Sequence, residues 1–406
     1  MATLTLIGEP FPDCEAAAHA EGARELTRAV AETAPRGCSA RLLVASDRPA
    51  PAFENARAST ERLPLNATML PVLWRTGVTA RPLDGEMVHA ITPLVALRAR
   101  GEDDGSQSSV MVPHALGWLA PEAMGAATAR QYRAFVKRAV KHADVVLTPT
   151  HATASALQER FGTDIVVQVL PLAAPPSFLP AGDSADRRTA LGLPARYLVT
   201  TAVPGEAGRL EWLLQTLASD PSLPPLVVLV GSMPAEHAVE QTHETGGGDS
   251  GRGGAAPAPA AAAASQPAPQ PDHADQAADS VAAAIPDALR GRVRIVRPRE
   301  LADIGAVLSG ATLLALPQPL IGTGYDVLGA LSAGVPVLHG GCAAVAELAL
   351  DAGVAAADAQ SFAAELVRLC ADGPERDRLG VLAQDRSRSF TWAGTAMSLW
   401  ELHANI

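Results

Sequence analysis

Short apolar runs alternate with helix-like stretches twice along this chain. That rhythm narrows the fold more than any other feature of the sequence. In the first series "LTLIG", "ARLLVAS", "MVHAI", "SVMVPHA" and "DVVLTPT" read as short buried strands. "AAAHAEGARELTRAVAETA" and "TARQYRAFVKRAVKHA" read as helices between them. The second series has "IVVQVLPL", "YLVTTAV", "LVVLVG", "RVRIVRP", "TLLALP" and "VPVLHG" as strands. Its helices include "RLEWLLQTLA", "ELADIGAVLSG", "YDVLGALSAG" and "AQSFAAELVRLCAD". Two runs of this alternation predict an α/β protein with two doubly wound parallel sheets. At 406 residues the chain is too long for one ordinary core, and 48% hydrophobic residues suit two large ones. Prolines cluster in "LPLAAPPSFLPAGDSADRR", so the boundary is expected near residue 172, with no contiguous core across Pro171–Pro180.

Composition excludes several classes. The net charge of −11 gives a nucleic-acid partner no electrostatic support. Cys14, Cys38, Cys342 and Cys370 lack CxxC spacing, so neither a disulfide framework nor a zinc site is indicated. The acidic "EDDG" near Asp103 lies in a polar loop rather than at a strand end, so no metal is expected, and no cofactor is implied. "MATLTLIGEPFPDC" reads as a first strand rather than a signal peptide. No stretch approaches the roughly 18 apolar residues of a membrane span. The expectation is a cytosolic protein, with any membrane contact peripheral. Residues 245–280, rich in Gly, Pro and Ala without periodicity, are expected to be a disordered insertion within the second domain. Around Arg130–His142, Arg130, Arg133, Lys137, Arg138 and Lys141 fall on one helical face. Tyr132, Phe135, Val136, Ala139 and Val140 fall on the other. The plain reading is a docked surface helix, and the sharper one is contact with anionic lipid or a lipid-linked acceptor.

Several motifs, weak singly, are specific in their order and spacing. They are "MVHAITPLVALRAR" with His89, "SVMVPHALGWLAPEA", "RAVKHADVVLTPTHATASAL", "LSAGVPVLHGGCAAVAELALDAGV" and "FTWAGTAMSLWELHANI". Together the chain resembles the family-four glycosyltransferases of GT-B type, in their actinobacterial branch, over nearly its whole length outside the insertion. The resemblance implies two Rossmann-like domains facing across a cleft. Residues 1–172 would be the acceptor side and 173–390 the donor side, with 391–406 a closing helix that crosses back to the first domain. It implies retaining transfer of a hexose, mannose among the candidates, from a nucleotide sugar to a glycan or lipid-linked acceptor.

The resembled donor-site pattern is "PS-x-x-EGFGLPVLEA", and this chain has "PQPLIGTGYDVLGA" from Pro317 to Ala330. Ile321 and Gly329 stand where the family has two glutamates that are thought to hold donor sugar and ribose. Carboxylates accept strong charge-assisted hydrogen bonds from vicinal hydroxyls, whereas isoleucine and glycine accept none. The turn itself is kept, so Gly322, Thr323, Gly324 and Tyr325 are the implied donor-binding residues, with free N–H groups at a helix N-terminus. The family's Arg-Lys pair for the diphosphate is replaced by Ala207 and Gly208, and Arg209 follows one residue later. His114 matches an acceptor-side histidine and is the implied catalytic residue, although Ala115 stands where the family has an aspartate. Glu347 matches a donor-side glutamate, and "EAAAHAEG" replaces a glycine-rich acceptor loop, keeping Gly22 alone. The plain alternatives are a glycine turn, a surface arginine, a core histidine and a surface glutamate. Two functions follow: an active transferase, or a degenerate GT-B protein serving as a binding module or as the partner subunit of an active transferase.

Overall fold

The computed structural model describes residues 2–75, 87–99, 105–202, 206–231, 273–371 and 373–406. Its first sheet contains β1 (Thr3–Ile7), β2 (Ser39–Val44), β3 (Ala58–Arg62), β4 (Met87–Ala90), β5 (Gln107–Met111), β6 (Val145–Thr148) and β7 (Val167–Val169). They lie in the order β3-β2-β1-β4-β5-β6-β7. The second contains β8 (Leu198–Thr201), β9 (Leu226–Leu229), β10 (Val293–Val296), β11 (Leu313–Leu316), β12 (Val337–His339) and β13 (Gly353–Ala355). Their order is β10-β9-β8-β11-β12-β13. Every neighbouring pair is parallel. The central strands β6, β9 and β11 are buried at every position, as helices on both faces require.

Three expectations need correction. "IVVQVLPL" does not open the second sheet: Val167 pairs with Val146, which makes β7 the edge of the first. It follows the helix His151–Phe161 after a short turn, and the crossover returns it beside β6. The expected insertion reaches Ser280, yet the helix His273–Ala284 already covers its last eight residues. Ala278, Val281 and Ile285 form an i, i+3, i+7 stripe, and all three are buried in the second domain's core. The rest of that segment lies outside the described residues. Finally, the apolar core does not stop at the proline cluster. Leu170, Leu172, Ala174 and Phe178 join Leu4 and Leu26 on one side to Leu308 and Leu328 on the other. The sheets are separate, but the domains are closed onto the segment between them.

The helix Trp392–Asn405 seals that closure. Thr391 caps it by accepting from the Gly394 N–H at 3.1 Å. Trp392 Nε1 donates to the Ala174 carbonyl at 3.2 Å, Thr395 Oγ1 to Pro171 at 2.7 Å, and Trp400 Nε1 to Val30 at 3.0 Å. His403 Nε2 lies 3.0 Å from Ser109 Oγ, which lies 2.9 Å from His89 Nδ1. The helix is thereby fastened to the first domain by buried polar groups.

The helix Ala126–His142 buries Tyr132, Phe135, Val136 and Ala139. Of its basic residues, Arg133 donates to the Gly117 carbonyl and Arg138 to that of Leu97. Arg130, Lys137 and Lys141 remain exposed. No described helix is long and apolar enough to cross a membrane.

Candidate active site

Strand order reverses beside β1 in the first sheet and beside β8 in the second. Chain leaving the carboxyl ends of such strands diverges and opens a crevice, the place where doubly wound sheets bind ligands. Here the two crevices face each other. Between them lies a cavity of about 130 Å³, whose lining includes Glu15, Thr201, Gln318, Ile321, Tyr325 and Asp326. Among the described residues, no lysine or arginine lines it.

The turn after β11 forms one wall. Gly324 has φ +88°, a left-handed conformation that glycine adopts freely, and a Cβ there would meet Leu348 Cδ1 at 2.6 Å. It caps the helix Tyr325–Ser332. The Thr323 N–H, expected to be free for an anion, is taken. It donates to both carboxylate oxygens of Glu15 at 3.1 and 3.0 Å, and Thr323 Oγ1 donates to Glu15 at 2.6 Å. Gly322 makes room for this approach, since a Cβ on it would lie 2.3 Å from Glu15 Oε1.

Glu15 begins the helix Ala16–Thr33 of the first domain. Burial alone would push its carboxyl up. The bond and charge of His19, the charge of His114 and the Thr323 hydroxyl outweigh burial and bring the pKa down to about 2. His19, one turn on from Glu15, places Nε2 3.7 Å from its carboxylate. The same ring lies 3.3 Å from Thr323 Oγ1, and its Nδ1 lies 3.4 Å from the Tyr325 hydroxyl. Burial, and then the charges of Glu15 and Glu21, hold the Tyr325 phenol well above its ordinary range.

On the first domain's side, Asp13 Oδ1 accepts from the Glu15 N–H at 2.9 Å. Its Oδ2 lies 3.5 Å from His114 Nε2, and both side chains are only 2% exposed. Burial pushes His114 towards the neutral form. Asp13 and then Glu15 overcome it, so the pKa ends above the usual histidine value. The ring stacks on Tyr132 with centroids 4.9 Å apart, and its Nδ1 has no hydrogen-bond partner among the described residues. His114 is not itself a lining residue, but Leu116 and Glu15 are. On the second domain's side, Asp326 accepts from Thr201 Oγ1 at 3.0 Å. Burial above all holds Asp326 above the ordinary aspartate value. Gln318 Oε1 is buried and unpartnered among the described residues.

The remaining sequence candidates sit elsewhere. Arg209 adopts φ 48°, donates to the Gly340 carbonyl at 3.1 Å and stacks its guanidinium 4.7 Å from the Trp212 ring. Glu347 accepts from the N–H groups of His151 and Ala152 at 2.9 and 3.2 Å and lies 2.8 Å from His151 Nδ1. It caps the helix His151–Phe161 from across the domain boundary. Neither residue lines the cavity. Gly329 packs its Cα against the Phe178 carbonyl, where an added Cβ would fall 2.7 Å from that oxygen. Asp13, Glu15 and His19 escaped the sequence reading. Their one local signal is a glutamate and a histidine four residues apart in an otherwise alanine-rich helix start.

No family profile matches the chain. A D-inositol 3-phosphate glycosyltransferase of Corynebacterium aurimucosum is 31% identical over 120 residues. That stretch spans 28% of this chain and 28% of that relative. Among solved structures, sucrose-phosphate synthase from Thermosynechococcus elongatus superposes with TM-score 0.65 at 17% identity, covering 100% of this chain and 99% of that one. Anabaena Alr3699/HepE in complex with UDP gives 0.57 at 14% identity, with both chains covered fully. WaaG, a glycosyltransferase involved in lipopolysaccharide biosynthesis, gives 0.55 at 16% identity over 98% of this chain and 99% of that one. The architecture is that of the GT-B glycosyltransferases: two parallel-sheet, Rossmann-like domains that face each other.

Proposed function

We propose that this chain is a glycosyltransferase that moves a hexose from a nucleotide-sugar donor to a glycan or lipid-linked hydroxyl, with retention at the anomeric carbon. The observation that carries the reading is the cleft itself. The switch points of two parallel sheets meet there, with Glu15 and Leu116 on one wall, the buried Asp13–His114 pair behind them, and the Gly322–Tyr325 turn on the other. Solved proteins of this architecture include complexes with UDP and UDP-glucose. In this reading His114 faces the acceptor hydroxyl, Asp13 holds its Nε2 side, and the turn meets the donor. Arg209 would reach a diphosphate only by leaving Gly340 and Trp212. Glu347 serves domain closure.

The test is turnover of UDP-glucose and GDP-mannose with sugar and lipid-linked acceptors. Nucleoside diphosphate release would be measured, with proton NMR of the product's anomeric coupling. Release with retention, lowered at least tenfold in His114→Ala, is the expected result. Donor binding without turnover under every acceptor would replace it with the binding-module reading.

A further inference from the structure

Among the described residues, three glutamates bridge the domains. Glu21 accepts from Ser177 N–H and Oγ at 3.2 and 2.8 Å, on the segment between the sheets. Glu347 caps the helix His151–Phe161. Glu15 alone of the three lines the cavity, and it occupies the donors of the turn there. The cavity left beside it, about 130 Å³, is well below the roughly 300–1,000 Å³ of pockets that enclose small ligands. Among the described residues this cavity is too small to enclose a nucleotide sugar, and Glu15, on its wall, holds Thr323.

We propose that Glu15 is an internal latch. Its carboxylate holds the domains closed and competes with the donor's oxygens for the Thr323 N–H and hydroxyl, so a ligand must displace it to enter. The identity of that ligand rests on the transferase reading above; the latch does not. Three features fit displacement. Glu15 stands at the first turn of its helix, tied locally through its own N–H to Asp13 rather than packed in the core. A fifth of its side chain is exposed. Its approach depends on the missing side chain at Gly322, so the contact is close and short-ranged.

The experiment uses the full chain as wild type, E15Q and E15A, with E25A as control. Glu25 pairs with Arg28 on the same helix and is not among the residues that line the cavity. Without ligand, hydrogen exchange of peptides covering 320–327 is followed by mass spectrometry. The expected result is exchange at least tenfold faster in E15A, intermediate in E15Q, and unchanged in E25A. UDP is then titrated calorimetrically, and E15A should bind at least tenfold more tightly than wild type. E15Q carries the comparison should E15A fold poorly. Unchanged exchange in both Glu15 variants would overturn the latch. Faster exchange with equal UDP affinity would overturn the competition. Faster exchange with no UDP binding by any chain would sink the donor reading and leave a latch that competes with nothing, which also overturns the proposal as stated.

Discussion

Gly329 offers a sharp test of the packing, because two effects pull in opposite directions there. It lies inside the helix Tyr325–Ser332, where alanine is better than glycine by about 1 kcal/mol. Helix propensity alone therefore expects Gly329→Ala to stabilise. The surroundings say otherwise. A Cβ at 329 would lie 2.7 Å from the Phe178 carbonyl oxygen, 2.9 Å from Leu308 Cδ1 and 3.3 Å from Phe178 Cβ. The leucine methyl can rotate away, but a carbonyl oxygen moves only with its backbone. Phe178 belongs to the segment joining the domains, so relief there means shifting that segment. Overpacking of this kind costs about 1–3 kcal/mol. After the propensity gain the net loss is about 1 kcal/mol, or roughly 2–4 °C in melting temperature for a domain of this size. Differential scanning fluorimetry of Gly329→Ala measures it. The control is Gly291→Ala, whose Cβ would meet nothing within 4 Å. Gly329→Glu should fall much further, since it adds a charge with no partner in place. The double change Ile321→Glu with Gly329→Glu, which restores both carboxylates of the resembled pattern, is thus expected to loosen the second domain rather than improve binding. A Gly329→Ala chain that melts at or above wild type would refute the packing argument.

Two further outcomes follow from the structure. Burial holds His89 down to about 3, with the charge of His403 adding to it, and burial holds His403 down to about 4. Both rings are neutral in the folded chain, so their contribution is complete above about pH 6.5 and is lost as the pH falls towards those values, by up to about 1.4 kcal/mol per pH unit for each ring. His403→Gln should therefore show a shallower fall in melting temperature than wild type between pH 6.5 and 4.5, and parallel curves would contradict the assignment. Arg209 has left-handed backbone, where a residue with a Cβ is strained by about 1–2 kcal/mol, so Arg209→Gly should melt above Arg209→Ala although both lose the Gly340 and Trp212 contacts; equal melting temperatures would show that the strain is absent.

What the sequence could show depended on the range of each interaction. β9 and β11 are legible because burial on both faces makes a strand apolar throughout, and β6 is apolar up to Thr148. β3, "ASTER", is an edge strand with half its surface wet, and nothing marks it as a strand except its neighbour β2. β7 is legible as a strand but not as a member of the first sheet, because strand character does not say which side of a proline cluster a strand will pair on. The helix His273–Ala284 was hidden by its alanines, which look like the low-complexity tract they adjoin.

The site divides in the same way. Gly324 is local, since a turn that needs a left-handed residue announces itself, whereas the bare Cα of Gly322 is explained only by the distant Glu15. Arg209 is half local. Its place could be read, but its destination is set by Gly340 and Trp212. Glu15 is wholly non-local, because its partner Thr323 lies 308 positions away, and "PDCEAAAHAEG" carries no sign of that meeting. This bears on the missing carboxylates. Ile321 and Gly329 lack them, and Gly329 could not hold one without moving Phe178. Yet carboxylates surround the same cavity from other positions: Glu15 and Asp326 line it, and Asp13 stands behind Glu15. A motif is a set of positions, whereas a sugar hydroxyl meets a set of atoms. Absence at two motif positions therefore does not count how many acids the cleft retains.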